Sequence, residues 1–136
     1  MARVRAVAFR AVVLALAVSA AVWTLFSFAA VYVGGDSMSP ALVRGDLVVL
    51  RRGAASVTAG EIVLADKPGW PSGVLHRVIA LGFDDTFRLK GDANATQDLE
   101  PTRRAAVRGV VVLVVPSGRL MALFDALARM VQSRLT

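Results

Sequence analysis

The hydrophobic pattern divides the chain into three zones. Residues 11–33, from Ala11 to Val33, carry no charge, and apolar side chains would fill every face of a helix there. At 1.5 Å per residue the run makes about 34 Å of helix, enough to cross a hydrocarbon core of about 30 Å. From Gly34 to Pro116 the pattern breaks into short apolar runs separated by Gly, Pro and Asp. Residues 47–50, 61–64, 74–81, 86–89 and 107–115 have strand length and β-branched content, with turn residues between them. About five such strands predict a small, mostly antiparallel β domain. Over residues 120–135 the spacing changes again. Leu120, Leu123, Phe124, Leu127, Met130 and Val131 share a helical face, while Asp125, Arg129 and Gln132 break the other. This amphipathic C-terminal helix lies at a membrane interface, packs on the domain, or forms an imperfect second span. The expected organisation is an N-terminal segment 1–10, a transmembrane anchor 11–33, a β domain 34–116 and the C-terminal helix 117–136.

Composition agrees with a chain partly in lipid. Hydrophobic residues make up 56% and the mean hydropathy is +0.61, high for an ordinary soluble domain. A cleaved secretory signal is the competing reading of the first zone, since Phe28-Ala29-Ala30 offers small residues. The apolar region of such a signal is typically about 7–15 residues, shorter than this run, so an uncleaved single-pass anchor is expected. Arg3, Arg5 and Arg10 precede the run and few charges follow it, which predicts a cytoplasmic N-terminus and an extracytoplasmic domain in the cell membrane. The net charge of +6 raises nucleic acid as a partner. However, the arginines are scattered, with no aromatic interleaving and no recognition helix, so none is expected. Basic residues beside a lipid bilayer account for them. The absence of cysteine excludes disulfides, a thiolate metal site and a Cys nucleophile. In the loop 66–73, two prolines and two glycines predict exposure, and Trp70 suits the lipid interface.

Candidate chemistry begins just past the anchor, at Gly34-Gly35-Asp36-Ser37-Met38-Ser39-Pro40. A serine on a turn beside a membrane can serve as a nucleophile if a base takes its proton. The chain has one histidine, His76, centred in an expected strand. Neutral imidazole can act as base and then acid near physiological pH, although a lone strand histidine is more often structural. Asp92 and Asp98, in the loop after the next strand, are both in a position to orient it, and either is equally an ordinary turn residue. Lys90 is a weaker alternative base, because a catalytic lysine needs burial and this one sits at a strand edge.

Taken in order, four short blocks resemble the type I signal peptidases. Ser37-Met38-Ser39-Pro40 is similar to their Ser-Met-x-Pro nucleophile block, and Gly45-Asp46-Leu47-Val48 to their second. His76-Arg77-Val78 stands where bacterial members carry Lys-Arg-Val, and Gly91-Asp92-Ala93-Asn94 is similar to the Gly-Asp-x-Asn block. Histidine in the base position resembles the branch found in archaea, the endoplasmic reticulum and some Gram-positive bacteria. The resemblance implies Ser37 as nucleophile, His76 as general base, Asp98 as orienting acid, and Asp92, Met38 and Pro40 as supporting residues. It implies a serine endopeptidase, without metal or cofactor, acting on the signal peptides of secretory preproteins. Two positions depart from the family pattern. Gly35 lacks the hydroxyl that many members place two residues before the serine, and Asp36 stands where the histidine type usually has glycine. A non-catalytic membrane-anchored β module and a specialised processing peptidase are the alternative readings.

Overall fold

The computed structural model describes the backbone of residues 2–135 and the side chains of residues 7–130. Met1 and Thr136, and the side chains of Arg3, Arg5, Val131, Gln132 and Leu135, lie outside the described residues. Helix α1 (Ala2–Ser27) leads into a sheet of seven strands. These are β1 (Phe28–Tyr32), β2 (Leu47–Arg52), β3 (Ile62–Lys67), β4 (Trp70–Leu81), β5 (Thr86–Lys90), β6 (Thr102–Arg103) and β7 (Val107–Val115). The spatial order is β1-β2-β7-β3-β4-β5-β6, every pairing is antiparallel, and helix α2 (Ser117–Leu135) follows.

The mostly antiparallel β fold is the one expected, with two strands beyond the five read from the pattern. The first of these changes the anchor. Helix α1 stops at Ser27, and Phe28–Tyr32 pair with Arg51–Leu47 on β2 instead of continuing as helix to residue 33. A charge-free apolar run does not distinguish a helix from a strand, and Phe, Val and Tyr favour the strand. Val7–Ser27 remains a helix long and apolar enough to cross a membrane. The other added strand, β6, is two residues long and lacks any period of its own. The loop expected at residues 66–73 is instead a tight hairpin. Lys67 pairs with Trp70 around Pro68-Gly69, and Gly69 has φ 81°, the geometry of a type II turn.

Alternation along the strands builds two apolar clusters. Val63, Ala65, Val78, Phe87, Leu89 and Val110 belong to one; Val33, Met38, Leu42, Val48, Leu50 and Leu64 form the other. Strand β3 contributes Val63 and Ala65 to the first and Leu64 to the second, so successive residues serve both clusters. Helix α2 does not pack its apolar face on this core. Leu120, Met121, Leu123, Phe124, Leu127 and Met130 are all exposed.

One buried carboxylate ties the ends together. Asp46 is 0% exposed; its Oδ2 accepts the Val43 N–H at 3.0 Å and its Oδ1 accepts the Gly118 N–H at 3.0 Å. The Asp46 carbonyl accepts the Val33 N–H, and Ser117 Oγ donates to the Gly45 carbonyl at 2.7 Å. The turn before β2 thereby fastens the end of β1 and the first turn of α2, whose N-terminal end favours a carboxylate. Asp46→Ala orphans two backbone donors around a buried site. It should cost about 2–4 kcal/mol, read as a lower midpoint of chemical denaturation in detergent, with Asp46→Asn losing less.

Candidate active site

The serine loop is held by its apolar neighbours. Met38 is 1% and Leu42 is 0% exposed, both sunk in the second cluster, and the Leu42 N–H donates to the Met38 carbonyl at 2.9 Å. Met38 therefore anchors the loop from below, while Ser37 stays half-buried at its surface. Pro40, which follows a cis peptide bond, is exposed, and its carbonyl accepts a hydrogen bond from Arg119 of α2. Asp36 pairs with Arg44 at 3.1 Å, but both side chains are well exposed, so that pair contributes little.

From the other side, the loop after β5 clamps the Ser37 backbone. The Ala93 N–H donates to the Ser37 carbonyl at 2.8 Å. A Cβ at Gly91 would lie 2.6 Å from that oxygen, so only glycine allows the approach. The same loop then delivers Asp98, whose N–H bonds the Leu89 carbonyl of β5 at 2.9 Å.

His76, on β4, is 8% exposed, and its Nδ1 lies 2.9 Å from Asp98 Oδ1. That contact leaves Nε2 as the nitrogen available to another group. Ser37, His76, Asp98 and Asn94 line one cleft of about 700 Å³, with Trp70 and Leu99 among its apolar walls. Asp92 is not at the imidazole. It grips Arg77 in a two-pronged pair, Nε–Oδ1 at 2.8 Å and Nη2–Oδ2 at 2.6 Å. Of the two candidate acids, Asp98 is the one in contact with His76. Lys90 pairs across the ladder with Arg77 and does not line the cleft.

A hydroxyl and an imidazole in one cleft, with the imidazole held at Nδ1 by a carboxylate, are the parts needed to activate an oxygen nucleophile. Among the described residues, no group of three or more His, Cys, Asp or Glu side chains is placed to hold a metal ion. One member of the cluster escaped the sequence reading. Lys67, the last residue of β3, places Nζ 3.0 Å from Asp98 Oδ2 with only 15% of its side chain exposed. The signal was Pro68-Gly69 as a two-residue turn, which would have placed Lys67 on a strand beside β4 rather than in an open loop.

The hydrogen bonds from Arg77 hold the Asp92 carboxyl below the usual carboxylate range, aided by its charge and more weakly by Lys90 and His76, against the cost of burial. A carboxyl lowered in the folded state stabilises the fold above its unfolded value, near pH 3.9. That contribution disappears as the pH falls through the lower, folded value. Thermal melts from pH 6 down to pH 3 should therefore show a shallower acid loss in Asp92→Asn, which starts less stable, than in the unsubstituted chain.

The Peptidase S24-like family matches residues 16–112, which takes in α1 from Leu16, the serine loop and the sheet into β7. Two curated relatives are signal peptidase complex catalytic subunits named SEC11. The chain is 37% identical to that of Chaetomium globosum over 75 residues, covering 52% of this chain and 44% of the relative. With that of Yarrowia lipolytica it shares 36% over 72 residues, 51% of this chain and 42% of the relative. The chain thus spans less than half the length of the curated relatives it matches. These matches bear out the kinship with signal peptidases expected from the four blocks, and the chain belongs to the Peptidase S24-like family.

Proposed function

We propose that the chain is a membrane-anchored serine endopeptidase that cleaves N-terminal signal peptides from exported preproteins. The observation that carries the reading is the 2.9 Å contact between His76 Nδ1 and Asp98, in the cleft that Ser37 also lines. Asp98 holds the imidazole in the tautomer with a proton on Nδ1, which leaves Nε2 as acceptor. His76 takes the Ser37 proton as the hydroxyl attacks the scissile carbonyl, then gives it to the leaving amine. Asp98 stabilises the imidazolium between those steps. The Ser37 N–H donates to the oxyanion, and water releases the acyl chain by the same steps in reverse order. Similarity to catalytic subunits of a signal peptidase complex supports the substrate class.

On this reading α1 spans the bilayer with the N-terminus in the cytoplasm, and the sheet stands on the outer face. The exposed apolar face of α2 rests in the same interface. A preprotein presents its cleavage site just beyond its own apolar segment, so an enzyme tethered beside the lipid meets it at high effective concentration.

Ser37→Ala should lower cleavage of a preprotein in proteoliposomes by at least about 10³-fold, with the chain still folded and membrane-bound; retained cleavage ends the reading. An imidazole base loses its function on protonation, so the rate should fall as the medium is acidified from neutral. A profile that rises only towards alkaline pH would instead assign the base to a lysine. At Gly35 nothing lies within 4 Å of where a Cβ would sit, so a hydroxyl fits without displacing its neighbours. Gly35→Ser should fold as well as the parent and raise kcat by up to about tenfold, as a second donor to an oxyanion served by one N–H.

A further inference from the structure

We propose that Lys67 is a positioning residue that keeps His76 neutral by sharing the Asp98 carboxylate. This deepens the reading above and rests on it for its catalytic meaning. The β3–β4 register shifts between the Ala65–Val74 and Lys67–Trp70 pairs, with the extra residues on β4, so Lys67 stands beside an irregular stretch of its neighbouring strand. There Lys67 Nζ meets Asp98 Oδ2 at 3.0 Å and the Glu100 carbonyl at 3.3 Å. Asp98 therefore faces two basic groups: His76 Nδ1 lies 2.9 Å from Oδ1 and 3.1 Å from Oδ2, and Lys67 shares Oδ2 with it. The side chains of these three residues are only 10–15% exposed, so their charges are poorly screened by water.

Charge counting gives the consequence. With the imidazole neutral, Lys67 and Asp98 form a balanced pair. Protonating His76 puts two cations on one carboxylate in a largely buried place, which the enclosure disfavours. Without Lys67 the balanced state would instead be imidazolium with carboxylate, and His76 would hold its proton to higher pH. The other charges nearby do not alter the sign. Asp92, in the loop after β5, interacts with His76 only through its charge and is paired with Arg77, with Lys90 also acting on it. Glu100 lines the cleft, is exposed, and remains in every variant considered. Lys67 thus lets the base work in a more acidic medium, at the cost of a less stabilised imidazolium.

The chain holds one histidine, so its imidazole can be followed without assignment ambiguity. The test is an NMR titration of the imidazole in the full chain in detergent, compared with the pH–rate profile on a preprotein. Lys67→Met should move the imidazole midpoint and the acid limb of the profile up together by about half a pH unit or more. At a fixed pH below that limb, half a unit is about a threefold loss of rate. Lys67→Arg should restore both, and Asp98→Asn should move the midpoint down. If Lys67→Met does not fold, Lys67→Gln removes the charge while keeping a donor, and the same upward shift is expected. An unchanged midpoint in a folded neutral variant overturns the proposal. The NMR reading is independent of cleavage, so a dead Ser37→Ala with an unmoved midpoint sinks the Lys67 role alone. A moved midpoint with an active Ser37→Ala instead sinks the nucleophile and spares the charge coupling.

Discussion

The site depends on one backbone hydrogen bond, from the Ala93 N–H to the Ser37 carbonyl at 2.8 Å. It joins two segments that the chain brings from far apart, the loop after the first strand and the loop after the fifth. Met38 and Leu42 hold the serine side of that junction in the apolar core. Gly91 lets the two backbones close, and the Asp98 N–H fixes the far end of its loop to Leu89. Ser37, His76 and Asp98 come from three elements, and this junction ties the serine loop to the loop that carries Asp98. Loss of the junction would free the serine loop from the His76–Asp98 pair, which keeps its own contacts.

The second constraint is how charge is partitioned around His76. Two carboxylates lie within reach of β4, and each has its own cation: Asp92 takes Arg77 and Asp98 takes Lys67. The forked pair on Asp92 has planar geometry on both partners, which favours a rigid staple between β4 and the loop. The pair on Asp98 is a single contact to a flexible ammonium at Oδ2, which leaves the carboxylate able to hold the imidazole as well. Arginine for the staple and lysine for the shared carboxylate match what each side chain does best.

Much of this was legible in the chain itself. Turn residues at Gly45-Asp46, Gly82–Asp85 and Gly91-Asp92 punctuate β-branched runs, and the antiparallel sheet follows from them. Ser37 stood out as a hydroxyl on a turn just past the apolar run, and His76 as the one histidine in the chain. What local pattern does not carry is pairing. Asp92 and Asp98 look alike along the chain, and only the fold turns one to Arg77 and the other to His76. Lys67 was hidden for the same reason, since its partner lies 31 residues away across a loop. Asp46 read as a turn residue, whereas its carboxylate is the buried cap for a helix that begins 71 residues later.

The misread end of the anchor bears on how the enzyme would meet its substrate. An unbroken helix to residue 33 would leave three residues, Gly34 to Asp36, before the serine, about 10–13 Å of chain at full extension. Instead the helix ends at Ser27, and five residues of β1 follow, hydrogen-bonded to β2. At about 3.3 Å per residue the strand is a rigid spacer of roughly 16 Å before the serine loop begins. Because β1 belongs to the sheet, its direction is set by the domain and not by a flexible linker. On the proposed reading, the spanning helix is joined to the serine loop through a strand of the catalytic sheet itself.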